Sequence, residues 1–411
     1  MSIRERLANW IAPETRASKG WSSKDPYVAE LFGLRDSVSG QMVTPERATG
    51  VAAVHACVQL ISETVASLPL FPFRRSGDDG REVNRHHPLY RVLHEQANQV
   101  QTSMEFREQF VASCLLTGNG YALKVIDSRG AVTQLIPLHP EHVQPEKLIN
   151  GRVRYKVTEP GKGTIPYTQD EILHLRYRSR DGYTGLSPIT IARETIGIAL
   201  SQQQYEGAFY KNGAQLRGVL THPQELSPPQ AEIIRDSFNR KFMGAENAHR
   251  IAVLEEGMQF QAIAISQKDA EFVESRMLNL EDIARIFRIP PPAIGILRDA
   301  TYSNITEQQR SLVMHTLRPW LVRIEQAMNA CLLTPDGRRT HFVEHNADAL
   351  MRGNAEERFK AYRVGREWGW LSVNEIRKRE NMGGIGPEGD TYREPLNTQQ
   401  VGRDADVSET V

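Results

Sequence analysis

The chain has 411 residues, 40% hydrophobic and 24% charged, with 50 basic against 50 acidic side chains and no net charge. That length can bury the cores of two or three domains. The lack of a basic excess disfavours tight non-specific gripping of nucleic acid, which draws its affinity from many neutralised phosphates, but leaves room for sliding contact or a local basic patch.

No apolar run approaches the ~18 residues of a membrane-spanning helix. Met1–Leu7 lacks the apolar core and small-residue cleavage site of a secretory signal, so the chain is expected to stay in the cytoplasm where it is made. Cys57, Cys114 and Cys331 stand apart in sequence, without metal-ligand spacing, and read as buried thiols of a reducing compartment.

Residues 1–43 mix Trp10, Trp21 and Phe32 with charges and glycines and show no period, so they read as an N-terminal arm. Thr44-Pro45 opens a helix whose stripe is Val54, Cys57, Val58, Ile61 and Val65, ending before Pro69. A strand over 70–74 and a Gly-Asp-Asp-Gly turn follow. Thr102-Ser103-Met104-Glu105 is a capping box for a second helix through Phe106, Phe110 and Leu115, stopped at Gly118-Asn119-Gly120. Strands over 121–126 and 132–138 form a hairpin around Asp127–Gly130, and 152–157 and 171–176 add two more. Residues 44–186 are therefore expected to be an α+β domain.

Ser187-Pro188 caps a helix over 187–212, about 39 Å long at 1.5 Å per residue. An insertion over 213–265 carries a strand over 218–221, a helix from Ser227-Pro228 to Phe242 and a strand over 250–254. A capping box at Ser266–Asp269 opens a helix through Phe272, Met277, Leu280, Ile283 and Phe287, stopped by Pro290-Pro291-Pro292. Two long helices thus bracket a small α/β insertion. A third helix, 304–333, carries Leu312, Thr316, Trp320, Ile324, Ala327 and Cys331 along one side. Pro319 inside it predicts a kink near His315–Pro319. Residues 341–344 read as a returning strand, and 354–382 as one or two short helices, the second capped at Ser372–Glu375. A flexible tail over 385–411 is expected.

The chain carries no GxGxxG, P-loop, GxSxG, HExxH or EF-hand pattern. Gly118-Asn119-Gly120 reads as a helix stop feeding a strand. His86-His87 and His139/His142 sit beside prolines without acidic or cysteine partners at ligand spacing. Asp181-Gly182 reads as a turn that positions the Ser187 cap, and Glu281-Asp282 and Glu356-Glu357 as solvated helix faces. Neither a catalytic residue nor a cofactor or metal site is expected.

Several segments, taken in order, resemble the portal (head–tail connector) proteins of tailed bacteriophages of the lambdoid or siphophage type. They are Val54–Pro69, Leu116–Tyr121, Gly185-Leu186-Ser187-Pro188, Phe209–Ala214, Ile283–Pro291, Thr301–Asn304 and Thr316–Leu321. Their order and spacing cover about residues 45–380.

The resemblance implies a portal-like α+β fold: a wing over 44–186, a stem helix over 187–212, a clip over 213–265 and a second stem helix over 266–289. A tunnel loop over 290–303 and a kinked tunnel helix over 304–333 would follow, then a return to the wing over 334–353 and a helical crown over 354–384. It further implies a ring, usually a dodecamer, at one capsid vertex of the virion, assembled in the host cytoplasm. Double-stranded DNA would pass through it during packaging with terminase and on ejection. Head-completion or adaptor proteins and the major capsid and scaffold proteins would be its other partners, with no membrane involved. Ile296, Leu297, Arg298, Asp299, Thr301, Tyr302 and Ser303 would face the DNA, and the adjacent Arg298 and Asp299 would partly cancel. A phage DNA-processing enzyme and a non-ring α+β interaction module are the competing readings. The first requires a carboxylate or histidine constellation that the sequence does not display.

Overall fold

The structure, a computed structural model, describes residues 37–76, 80–159, 161, 163–211, 218–224, 226–242, 257–262, 268–297, 302–347, 355–380 and 382–393. The chain divides into two units, Met1–His345 and Asn346–Val411. The expected strand over 250–254, the Ser266 cap and the arm and tail apart from residues 37–43 and 385–393 lie outside the described residues.

The first expected helix is two. Helix α1 (Pro45–Thr49) starts on the Thr44 hydroxyl, which accepts from Arg47 N, and closes at Gly50. Helix α2 (Ala52–Ser67) then buries the expected stripe of Val54, Cys57, Val58, Ile61 and Val65. Strand β1 (Leu70–Ser76) leads to β2 (Gly80–Val83). Helix α3 (Ser103–Thr117) has the full reciprocal capping box of Thr102 and Glu105 and ends on left-handed Gly118. Six strands follow: β3 (Asn119–Ile126), β4 (Val132–Leu138), β5 (Val143–Lys147), β6 (Val153–Glu159), β7 (Gly163–Thr168) and β8 (Ile172–Arg176).

The helix expected over 187–212 is interrupted at Ala192, where ψ is 12°, so α4 (Pro188–Ile191) precedes α5 (Arg193–Lys211). Strand β9 (Gly218–Thr221), helix α6 (Pro228–Phe242) and strand β10 (Gln259–Ala262) form the insertion, with β10 pairing antiparallel to β9. Helix α7 (Lys268–Ile286) returns along α5, to which Arg276 and Glu206 tie it at 2.6 Å. Helices α8 (Tyr302–Ser311) and α9 (Arg318–Leu332) flank a π-helical segment over Leu312–Leu317. Strand β11 (His341–His345) completes the first unit.

Three antiparallel sheets, β11-β1-β2, β4-β3-β8 and β5-β6-β7, accompany the β9–β10 ribbon. Tyr121, Val143, Val153, Tyr155, Val157, Tyr167 and Ile172 make one core between the second and third sheets. Helices α2 and α3 pack together, and the buried Arg107 of α3 binds them to their surroundings. Its guanidinium donates to Ala66 O at 2.7 Å and Leu93 O at 2.9 Å, satisfying a carbonyl that the end of α2 would leave orphaned. Burial pulls its pKa down to about 10.

The second unit, taken by itself, holds α10 (Ala355–Glu367) and α11 (Val373–Arg379), the latter with the expected Ser372–Glu375 capping box. Across the described residues no helix is long and apolar enough to cross a membrane, and no group of three or more His, Cys, Asp or Glu could hold a metal.

Candidate functional site

Two places in the first unit gather the segments that the sequence singled out. At the first, Gly118-Asn119-Gly120 meets Gly185-Leu186-Ser187-Pro188. A Cβ on Gly185 would lie 2.0 Å from Gly118 O, and one on Gly118 would lie 2.5 Å from Leu186 C. The Asn119 carboxamide clamps Gly185, accepting from its N–H at 2.7 Å and donating to its carbonyl at 3.1 Å. Because Asn119 Oδ1 is an acceptor, His174 Nε2 must donate to it (3.0 Å), which leaves Nδ1 to accept the Tyr155 hydroxyl at 3.0 Å. Burial pushes His174 well below its ordinary pKa, so it is neutral.

The neighbouring turn works as expected. Asp181 accepts from Tyr183 N at 2.8 Å and Thr184 N at 2.9 Å. These bonds outweigh its burial and hold its carboxyl at about 2. Ser187 donates to Leu116 O at 2.6 Å and caps α4 through Thr190 N. The tight backbone packing at Gly118-Asn119-Gly120 accords with a structural junction in place of a phosphate cradle.

The second place is the turn from α7 into α8 and α9. Arg288, the only non-glycine residue with positive φ among those described, sits at +59°. The bonds from Ile289 N to Ala284 O (2.9 Å) and from Arg288 N to Arg285 O (3.0 Å) close α7 as a Schellman-type stop with arginine in the glycine position. Pro290 bars further helix. A 3₁₀ turn over Pro291–Ile294 ends on Gly295 at φ +86°, where Gly295 N and Ile296 N bond back to Pro292 O and Pro291 O.

Of the expected loop residues, Ile296 and the exposed Leu297 lie just beyond this turn, while Arg298, Asp299 and Thr301 fall outside the described residues. Tyr302 and Ser303 belong to α8 and not to a loop, since the helix begins two residues before the expected Asn304.

The kink expected at Pro319 takes a particular form. Proline lacks an N–H, and its ring crowds the carbonyl four residues back, that of His315. The helix relieves this by widening: Arg318 N bonds to Val313 O, five residues back. The extra residue shifts the buried face, which runs through Thr316, Leu317, Trp320, Leu321, Ile324, Met328 and Leu332. Leu312, Ala327 and Cys331 of the expected stripe are therefore half-buried at its margin.

Four side chains, Thr316, Lys124, Asn329 and Glu325, fix this assembly. The Thr316 hydroxyl donates to Arg288 O, joining the π segment to the strained turn. Lys124 Nζ donates to Cys331 O at 3.0 Å, at the end of α9. Asn329 pairs with both backbone groups of Val343 in β11 (2.9 and 2.7 Å). Glu325 accepts from His345 Nδ1 at 2.7 Å, yet burial outweighs the carboxylate and lowers the pKa of His345. Tyr177 stacks on Trp320 with centroids 5.5 Å apart, and the Arg323 guanidinium lies 4.9 Å from the Trp320 ring. On the outer side Met314, Arg318, Pro319, Val322, Arg323 and Gln326 line a shallow groove.

A family model described as phage portal protein matches residues 52–381, which takes in both places. The chain belongs to the phage portal protein family. Portal proteins are structural components of the virion and form the DNA channel at a capsid vertex. This portal chain is 33% identical to the probable portal protein of Streptomyces phage phiC31, over 94% of this chain and 86% of that one. It is 31% identical to the portal protein of Enterobacteria phage HK97, over 92% and 88%. Its fold is shared with a chain in the neck of a native gene transfer agent particle computed with C12 symmetry. There the TM-score is 0.59 at 23% identity, over 93% of this chain and 100% of that one.

Proposed function

We propose that this portal chain assembles as a closed ring, a dodecamer, whose channel passes double-stranded DNA, and that the turn between α7 and α8 supplies the DNA-facing loop. The observation that carries the reading is the family match running through a segment anchored before the loop at Arg288, by Thr316, and beyond it at α9, by Lys124, Asn329 and Glu325. A loop held between fixed ends can bear on a moving duplex without unfolding its supports. Repeated once per subunit, Ile296 to Ser303 would form rings of like groups. The Arg298–Asp299 adjacency suits a polyanion that must slide, because every net phosphate contact adds binding that packaging must break.

In this reading α5 and α7 are the stem, the β9–α6–β10 insertion is the clip that meets terminase and later the head-completion proteins, residues 44–186 are the wing, and α10–α11 belong to the crown. The major capsid and scaffold proteins are its partners in the head. No catalytic step is assigned to any residue.

Negative-stain electron microscopy of the purified chain tests the ring, with annular particles expected. Single compact particles at every salt concentration tried would overturn it in favour of a non-ring module. Deleting 297–302 tests the loop: rings should form and DNA packaging or retention should fail, whereas loss of rings would make the segment an assembly element.

A further inference from the structure

Helix α5 starts at a break. Ala192 closes α4 with ψ at 12°, outside helical geometry, so the direction of α5 is not set by α4 alone. A segment from far upstream lies beside this joint. Residues 37–43 run along one face of α5, against Glu194, Gly197 and Gln204, which the helical repeat places within about 80° of one another. Val38 N donates to Glu194 Oε2 at 2.8 Å, and Gln41 Nε2 donates to Gln204 Oε1 at 2.7 Å. Ser37, 5% exposed, sits on Gly197: a Cβ added to that glycine would lie 2.3 Å from Ser37 Oγ and 2.6 Å from Ser37 Cβ. On the other side Arg47 of α1 donates to Gln41 Oε1 at 2.8 Å, so the Gln41 carboxamide bridges α1 and α5.

The segment is held by polar contacts. Neither apolar side chain within 37–42 is buried, since Val38 is 95% and Met42 45% exposed, and the first apolar anchor is Val43 at 2%. Its two bonds to α5 are exposed, where water competes for the same groups. The segment is also bonded to itself. Ser37 N donates to Gln41 O (2.9 Å), Gly40 N to Ser37 O (2.8 Å) and Gln41 N to Ser37 Oγ (3.2 Å). These bonds survive if the turn lifts off as one body about Val43. Lifting then breaks the bonds to Glu194 and Gln204 and the contact with Gly197, while the hydrophobic core stays closed.

We infer that residues 37–43 are a detachable strap that braces the joint at Ala192, with Gly197 as its seat. Closed, the strap fixes α5 to α1 and, through Val43, to the body that α1 and α2 belong to. Open, it leaves α5 held by its packing on α7 and free to swing about Ala192. The brace belongs to the single chain and does not depend on the ring reading. In that reading it stands where the stem leaves the wing, and its opening is the motion that lets one turn against the other.

Glycine-to-alanine changes at two places in the same helix test this. Gly197→Ala puts a methyl group into Ser37 Cβ, which moves only with its backbone, whereas Gly207 has nothing within 4 Å of its would-be Cβ. Amide exchange on the full chain, read by mass spectrometry, should speed up about 10-fold or more across 37–43 in Gly197→Ala and stay at the parent rate in Gly207→Ala, with 45–67 unchanged in both. Glu194→Ala, which adds no bulk, should also speed exchange at 37–43, and Glu194→Gln, which keeps an acceptor for Val38 N, should stay near the parent. Unchanged protection of 37–43 in both Gly197→Ala and Glu194→Ala would overturn the seat. The swing is read by spin labels on α2 (Gln59→Cys) and α5 (Ala208→Cys) in a Cys331→Ser background, with labelled chains diluted among unlabelled ones. The distance distribution should be narrow in the parent and in Gly207→Ala and broad in Gly197→Ala. A released strap with an unchanged distribution would show that α7 alone fixes α5 and would overturn the brace, as would equal broadening in both glycine variants.

Discussion

Substituting Gly185 by alanine should be among the most damaging single-methyl changes in the chain. The new Cβ would stand 2.0 Å from Gly118 O and 2.9 Å from both Gly118 C and Tyr177 N, all of them backbone atoms. A carbon–oxygen contact needs more than ~3 Å, so the two segments would have to separate by about an ångström. That movement stretches three bonds: Gly185 N to Asn119 Oδ1 (2.7 Å), Asn119 Nδ2 to Gly185 O (3.1 Å) and Tyr177 N to Gly118 O (2.8 Å). Each is worth about 1 kcal/mol when lost, and more where a buried group is left orphaned, so the cost should be about 3–5 kcal/mol. Gly207 supplies the internal control: it lies inside α5 with nothing within 4 Å of its would-be Cβ, so Gly207→Ala should stabilise by about 1 kcal/mol. Urea unfolding followed by far-ultraviolet circular dichroism, run on unassembled subunits of both variants, measures the difference. If Gly185→Ala unfolds within ~0.5 kcal/mol of the parent, the close-approach argument is refuted.

Other expectations concern strain and titration. Arg288→Gly should stabilise the turn after α7 by about 0.5–1 kcal/mol, because glycine occupies φ near +59° at no steric cost; destabilisation in the same urea assay would mean that the arginine side chain holds the turn. The folded pKa of His174 lies well below its ordinary value near 6.5, so between the two values the unfolded chain binds the extra proton. Stability from this group should therefore be complete above pH ~7 and decline as the pH falls below 6.5. Melting temperatures between pH 5 and 8 should show that decline in the parent and a shallower one in His174→Gln; parallel curves would rule His174 out as its source.

The sequence carried local signals well and long-range ones poorly. The capping boxes at Thr102–Glu105 and Ser372–Glu375, the hairpin around Asp127–Gly130 and the burial of α2 all rest on residues a few positions apart, which is the range of the rules that detect them. Strands β5 and β7 escaped notice because each is short and contains a proline. Both are outer strands of their sheet, where a missing N–H does little harm. Strand β10 gives little signal although Gln259–Ala262 alternates polar and apolar residues, because four residues barely establish a period; it is defined by its pairing with β9. The contact of Gly118 with Gly185 joins segments 67 residues apart, a separation at which residue spacing holds no information. At the turn itself, the run of prolines announced a helix stop and Pro319 a distortion. The π register and the Thr316–Arg288 bond could be read only once the buried face of α9 was in place.

That bond carries the last prediction. Thr316 is 3% exposed, and its hydroxyl meets the carbonyl of the one described non-glycine residue held at positive φ. Replacing it with valine keeps the shape but strands the Arg288 carbonyl in a part-buried setting, at a cost of about 1–2 kcal/mol. The π segment is the natural place for that cost to appear. It is the part of the long helix whose bonds Pro319 has already loosened, while everything beyond Arg318 is tied to the sheets by Lys124, Glu325 and Asn329. Thr316→Val should therefore speed amide exchange at Phe287–Ile289 and across 312–317 by roughly 10-fold or more, and leave 320–332 unchanged. In the proposed ring the same variant should assemble normally and package DNA poorly, because the loop would have lost one of its two supports. Uniform acceleration through 332 would show instead that the helix opens as one body, and the turn after α7 and helix α9 would then not be separately supported.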